Sequence, residues 1–80
     1  MNIIVWTLPG NRASEQADFG LKFRNIPFEN KTVGQNATME EFLAQFPNTS
    51  EFPQVIIDNT HIGGYKELEN FMINDWKPNE

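Results

Sequence analysis

The chain contains no cysteine. In 80 residues, near the lower end of what one hydrophobic core stabilises unaided, that absence excludes disulfides, so the fold must rest on apolar packing. The means are present, because hydrophobic residues make up 39% of the sequence and include seven Phe and two Trp. A packed core is expected, disorder is not, and residues 1–80 read as one domain. The same absence removes thiol nucleophiles and thiolate metal ligands.

Six Lys and Arg stand against eleven Asp and Glu, a net charge of −5. That balance argues against nucleic acid and anionic membrane surfaces as partners. The apolar runs are far too short to span a bilayer, and no basic segment followed by a hydrophobic stretch marks the N-terminus, so a cytoplasmic protein is expected. Asn30, Asn36 and Asn48 each begin an Asn-x-Ser/Thr triplet, a glycosylation acceptor only in a secreted chain. They read as chance.

Residues 2–7, built on Ile3-Ile4-Val5-Trp6, form a buried strand stopped by Pro9-Gly10. A helix is expected from Arg12 to Asn25, with Asn11 as N-cap and apolar residues at helical spacing in two sets: Ala13, Ala17 and Leu21, and Phe19, Phe23 and Ile26. Gly20 weakens it by about 1 kcal/mol relative to Ala. Asn25 tolerates the left-handed conformation, and Pro27 prevents continuation. Phe28 to Val33 suits a second strand, and Thr38-Met39-Glu40-Glu41 has the form of a capping box for a helix over 39–46. Pro53 to Asp58 reads as a third strand, Asn59-Thr60 as a turn and His61-Ile62 as a short fourth strand. Gly63-Gly64 opens a last helix, with Tyr65, Leu68, Phe71, Met72 and Trp76 on its inner face and Lys66, Glu67, Glu69 and Asn70 on the outer one. The order is βαβαββα.

Four stretches carry a resemblance over essentially the whole length: Thr7-Leu8-Pro9, Ile26-Pro27-Phe28-Glu29, Phe52-Pro53-Gln54-Val55 and His61-Ile62-Gly63-Gly64-Tyr65. Together they resemble the glutaredoxins. The resemblance implies the thioredoxin fold, an α/β arrangement with a four-stranded mixed sheet flanked by three helices. In that family the Thr-x-Pro turn leads into Cys-x-x-Cys at the start of the first helix, and the count places those cysteines at Asn11 and Ser14. The family's reaction needs a thiolate there to attack a disulfide or a glutathionylated sulfur. An Asn amide cannot do so. A Ser14 hydroxyl stays protonated without an adjacent base, and the one histidine, His61, reads as a turn residue elsewhere. Asn11 as a cap and Ser14 in the first turn of the helix is the simpler reading, and no catalytic residue is assigned.

The resemblance also implies a glutathione groove at Arg12, Phe52, Pro53, Gly64, Tyr65 and Glu67. The backbone of Phe52, before a cis-proline at Pro53, would pair with an extended peptide. The helix N-terminus at Gly64-Tyr65 would receive the γ-glutamyl carboxylate. Glu67 matches the family's second acidic position. Leu8 replaces a basic residue, however, and Lys66 replaces a polar or acidic one. Three or four backbone contacts of about 0.5–1.5 kcal/mol each leave glutathione near millimolar affinity once association costs are subtracted. Arg12 either adds a cation at the mouth of the groove or is a solvated helix-end residue, and Tyr65 and Trp6 read first as core or groove wall. No metal site is visible.

Three functions remain open on these residues: a redox-inactive module binding a peptide, a protein partner or weak glutathione; a cysteine-substituted variant of an active glutathione-dependent thiol-disulfide oxidoreductase; and a structural subunit docking through apolar surface.

Overall fold

In the computed structural model, which describes residues 1–77, strand β1 (Ile3–Thr7) sits at the centre. Its neighbour in the chain is helix α1 (Arg12–Phe23), followed by β2 (Glu29–Thr32), α2 (Met39–Gln45), β3 (Gln54–Ile57), β4 (Thr60–Gly63) and α3 (Tyr65–Asn74). The sheet order is β2-β1-β3-β4. β1 pairs parallel with β2 and antiparallel with β3, and β3 pairs antiparallel with β4. The sheet is therefore the expected mixed one.

A strand covered on both faces needs apolar residues at every position, which is why Ile3-Ile4-Val5-Trp6 is unbroken. Ile3 and Val5 point to one core with Ala17, Leu21, Val55, Leu68, Phe71 and Met72, under α1 and α3. Trp6 points to the other, with Val33, Ala37, Phe42, Phe46 and Ile56, under α2. Val55 and Ile56 divide between the two faces in the same way. The second core is aromatic: Trp6, Phe42 and Phe46 lie with ring centroids 5.1–6.0 Å apart.

Asn11 caps α1, and Thr38 and Glu41 form both bonds of the capping box on α2. Helix α1 ends two residues short of the expected Asn25, because Asn25 itself takes the left-handed conformation at φ +58° and the Ile26 N–H returns to the Leu21 carbonyl. Phe19 and Phe23, placed by spacing with the apolar set of α1, are 68% and 72% exposed. They stack on each other outside the core, with centroids 5.8 Å apart. The β3–β4 turn is centred one residue earlier than expected, on Asp58 and Asn59 at φ +50° and +68°. A tight hairpin turn wants two left-handed residues, and Asp and Asn supply them where Thr60 would be strained. The same turn holds the start of the chain: the Asn2 N–H donates to the Asp58 carboxylate at 2.7 Å and the Asp58 N–H donates back to the Asn2 carbonyl at 2.8 Å. No helix of the described residues is long and apolar enough to cross a membrane.

Candidate functional site

β1 delivers the chain at Thr7 into a loop closed entirely by local bonds. The Asn11 N–H donates to the Leu8 carbonyl at 3.1 Å, and Gly10, at φ +82°, makes the reversal that a side chain would strain. Asn11 Oδ1 then accepts the Ser14 N–H at 2.8 Å. Ser14, only 2% exposed, accepts the Leu8 N–H on its hydroxyl at 3.1 Å. The two positions that the resemblance assigns to cysteines thus carry a helix cap and a loop fastener. The bond from Leu8 to Ser14 was not foreseen from sequence, because it depends on how far the loop folds back.

Among the described residues no base is hydrogen-bonded to the Ser14 hydroxyl. His61 lies in strand β4, as the strand reading of His61-Ile62 expects and not in a turn elsewhere, its Nε2 2.7 Å from the Gln54 carboxamide oxygen and its ring packed on Phe46 at 4.7 Å. The edge of the aromatic core attracts it there. Arg12, the first residue of α1, is exposed and takes part in no ion pair among the described residues.

The Phe52–Pro53 peptide bond is cis, and Pro53 is fully buried at the start of β3. Gly64 comes so close that a Cβ on it would lie 3.3 Å from the Pro53 carbonyl oxygen. The entry to β3 and the start of α3 therefore meet backbone to backbone, and a side chain at Gly64 would press on that contact. Phe52 is half-buried and stacks on Phe42 at 4.2 Å. Its backbone N–H and C=O take no hydrogen-bond partner among the described residues. Tyr65 is half-buried and packs against the first core.

Glu67 turns back onto the start of its own helix, its Oε1 accepting the Gly64 N–H at 2.9 Å. That bond and its own N–H hold the Glu67 carboxyl below the ordinary value of 4.5. A carboxylate of the chain itself therefore occupies the α3 N-terminus, the place the resemblance reserves for a ligand's carboxylate.

A cleft of about 220 Å³ lies on the other side of the loop, between α1 and β2, lined by Thr7, Leu8, Ser14, Asp18, Asn30 and Thr32 among others. Thr7 and Thr32 both donate to Asn30 Oδ1, at 2.7 and 3.0 Å, and Asn30 donates to Asp18, which pairs with Lys22 at 3.0 Å. Sequence reasoning missed this cluster. The signal was the polar composition of β2, Glu29-Asn30-Lys31-Thr32, which a search for hydrophobic alternation passes over. Among the described residues no group of three or more metal-ligating side chains converges.

No protein-family model matches the chain, and neither does any curated protein sequence. Solved structures do. Glutaredoxin 1 from Francisella tularensis matches with a TM-score of 0.73 and 24% identity, over 90% of this chain and 92% of that one. The fold is that of a glutaredoxin. The glutaredoxin from Brucella melitensis agrees, with a TM-score of 0.70 and 23% identity over 94% of this chain and 82% of its own. The glutaredoxin fold also occurs inside larger proteins: a diazinon-metabolizing glutathione S-transferase of the silkworm Bombyx mori matches with a TM-score of 0.75 and 15% identity, over 98% of this chain but 40% of that one. At such identities the likeness is one of fold. On this glutaredoxin scaffold the loop that follows β1 carries Asn11 and Ser14 and no sulfur.

Proposed function

We propose that this chain is a redox-inactive binding module on a glutaredoxin scaffold, holding an extended segment of a protein partner, or glutathione weakly, along Phe52, Pro53, Gly64 and Tyr65. The observation that carries the reading is the Phe52 backbone, whose N–H and C=O have no partner within the described residues. Unpaired backbone groups beside a strand are the template for adding a short extended segment, whatever side chains that segment bears. Gly64, with no side chain, keeps the floor of the groove open, and Arg12 offers a cation to an acidic group on the bound segment.

Glutathione is the weaker ligand for a physical reason. Its γ-glutamyl carboxylate would have to share the α3 N-terminus with Glu67, which already holds the Gly64 N–H. Two carboxylates at one helix end repel. With only backbone contacts left, affinity falls near millimolar, about −4 kcal/mol.

An amide-shift titration tests the reading. Glutathione should move Phe52, Gly64 and Tyr65 amides with a dissociation constant in the millimolar range, and a short extended peptide should move the same set. Micromolar glutathione affinity, or shifts confined to another face, would contradict it. The same protein should show no turnover above the uncatalysed rate in glutathione-coupled disulfide reduction, and measurable turnover would sink the redox-inactive part.

A further inference from the structure

β2 is an edge strand, paired with β1 on one side only. An exposed edge presents N–H and C=O groups on which another chain can build, and proteins close such edges with specific devices. Here the device is the turn that follows β2, and above all one side chain on it. The Asn36 carboxamide lies alongside β2, its Nδ2 donating to the Asn30 carbonyl at 2.9 Å and its Oδ1 accepting the Thr32 N–H at 2.7 Å. The carboxamide turns one N–H and its carbonyl oxygen toward the strand at nearly the spacing of a peptide group, so it occupies the edge as a neighbouring strand would. The turn that carries it is fastened to the end of β2, with the Gln35 and Asn36 N–H groups both donating to the Thr32 carbonyl, at 3.0 and 3.2 Å.

We propose that the outer edge of β2 is a self-pairing edge, held shut by the Asn36 carboxamide, whose occupant when Asn36 is removed is β2 of a second copy of this chain. The argument for a second copy is charge. The groups that face outward belong to Asn30 and Thr32, since those are the ones Asn36 reaches. Antiparallel pairing on a two-fold axis at Asn30 sets Asn30 against Asn30 as the hydrogen-bonded pair. It then places Glu29 of each copy directly opposite Lys31 of the other, two ion pairs on the face toward α2. Moving the two-fold axis one residue along, to Lys31, sets Lys31 against Lys31 instead, so charge favours the first. The strand has no apolar residue, Glu29-Asn30-Lys31-Thr32, so association depends on backbone bonds and these two pairs rather than on buried hydrophobic area.

Sedimentation equilibrium over a concentration series tests this with Asn36→Ala, alone and combined with Glu29→Lys. Asn36→Ala should dimerise where the parent chain stays monomeric. Adding Glu29→Lys, which sets cations against cations, should weaken that dimer by about tenfold or more. Thr32 amide exchange should become faster in dilute Asn36→Ala, where the carboxamide is gone, and slow again as the dimer forms. Asn36→Asp supplies the control should the alanine variant fold poorly: it keeps the acceptor for Thr32 and loses the donor to Asn30, and it should dimerise less than Asn36→Ala but more than the parent. A folded Asn36→Ala that sediments as the parent does, an Asn36→Asp indistinguishable from the parent, or a dimer indifferent to Glu29→Lys would each overturn the proposal.

Discussion

Asn11 and Ser14 answer for each other in the loop after β1: one caps the helix through its side-chain oxygen, and the other pins the Leu8 N–H. Removing the cap in Asn11→Ala should cost about 1 kcal/mol in a denaturant titration, and a loss under about 0.3 kcal/mol would show that the bond contributes nothing net. Replacing both residues, Asn11→Cys with Ser14→Cys, tests how much of the scaffold's chemistry persists. A thiol at position 11 would receive the Ser14 N–H that now donates to the Asn11 oxygen, with Arg12 adjacent, so it should titrate below the unperturbed value of about 8.5 and support thiol–disulfide exchange. Titration at or above that value, with no exchange activity in a folded double variant, would mean the helix end does not stabilise a thiolate here. Glu67 gives a pH signature. Its folded carboxyl ionises below the ordinary 4.5, so its contribution to stability is complete above that value and fades as pH falls through the lowered folded value. The stability difference between the parent and Glu67→Gln should therefore hold steady from neutral pH down to about 4.5 and shrink below it. A difference that grows on acidification would contradict the cap. Of these three residues, Asn11 was legible in the sequence, because a cap acts within three positions of itself. Glu67 was read for its place in a family pattern, and its bond to Gly64 emerges only when the helix start is built.

At the scale of the element, α1 separates what periodicity reveals from what it hides. Its buried stripe is Ser14, Ala17, Gly20 and Leu21, mostly small residues that let the helix approach the sheet and α3. A Cβ on Gly20 would lie 3.2 Å from the Met72 methyl. Phe19 and Phe23 share a helical spacing of their own, on the opposite side, and spacing alone does not say which stripe turns inward. Phe19→Ala and Phe23→Ala should each change stability by no more than about 0.5 kcal/mol. Phe42, by contrast, is fully buried and touches Trp6, Phe46 and Phe52. Phe42→Ala should cost about 3–5 kcal/mol, enough to threaten folding in a chain of this size. Equal losses at Phe19 and Phe42 would mean that the two helix faces are misassigned. β2 was legible as a strand but not as a polar edge, since its partners Asp18, Thr7 and Asn36 come from three other parts of the chain.

For the whole molecule, the element order could be read from turn residues and apolar runs, whereas the layer arrangement was expected only from the family resemblance; the apolar run Ile3-Ile4-Val5-Trp6 is what lets β1 be covered on both faces. What the order of elements left undetermined is which strand is central. The sheet order puts β1 and β3 inside and β2 and β4 at the edges. Val5 and Val55, both without solvent exposure, pair directly. Amide exchange should be slowest at Val5 and Val55, through global unfolding, and faster across β2 and β4. Protection greatest in β4 would contradict this arrangement. The pairing of Asn2 with the Asp58 turn has a practical meaning. β1 runs from that clasp to the Thr7 loop, and β3 and β4 bring Pro53 and Gly64 to the same end as the loop. A bead or sensor chip coupled through Met1 would thus hold the molecule by the opposite pole, leaving Pro53 and Gly64 facing the bulk, so immobilised protein is the natural bait with which to test the proposed binding of an extended segment.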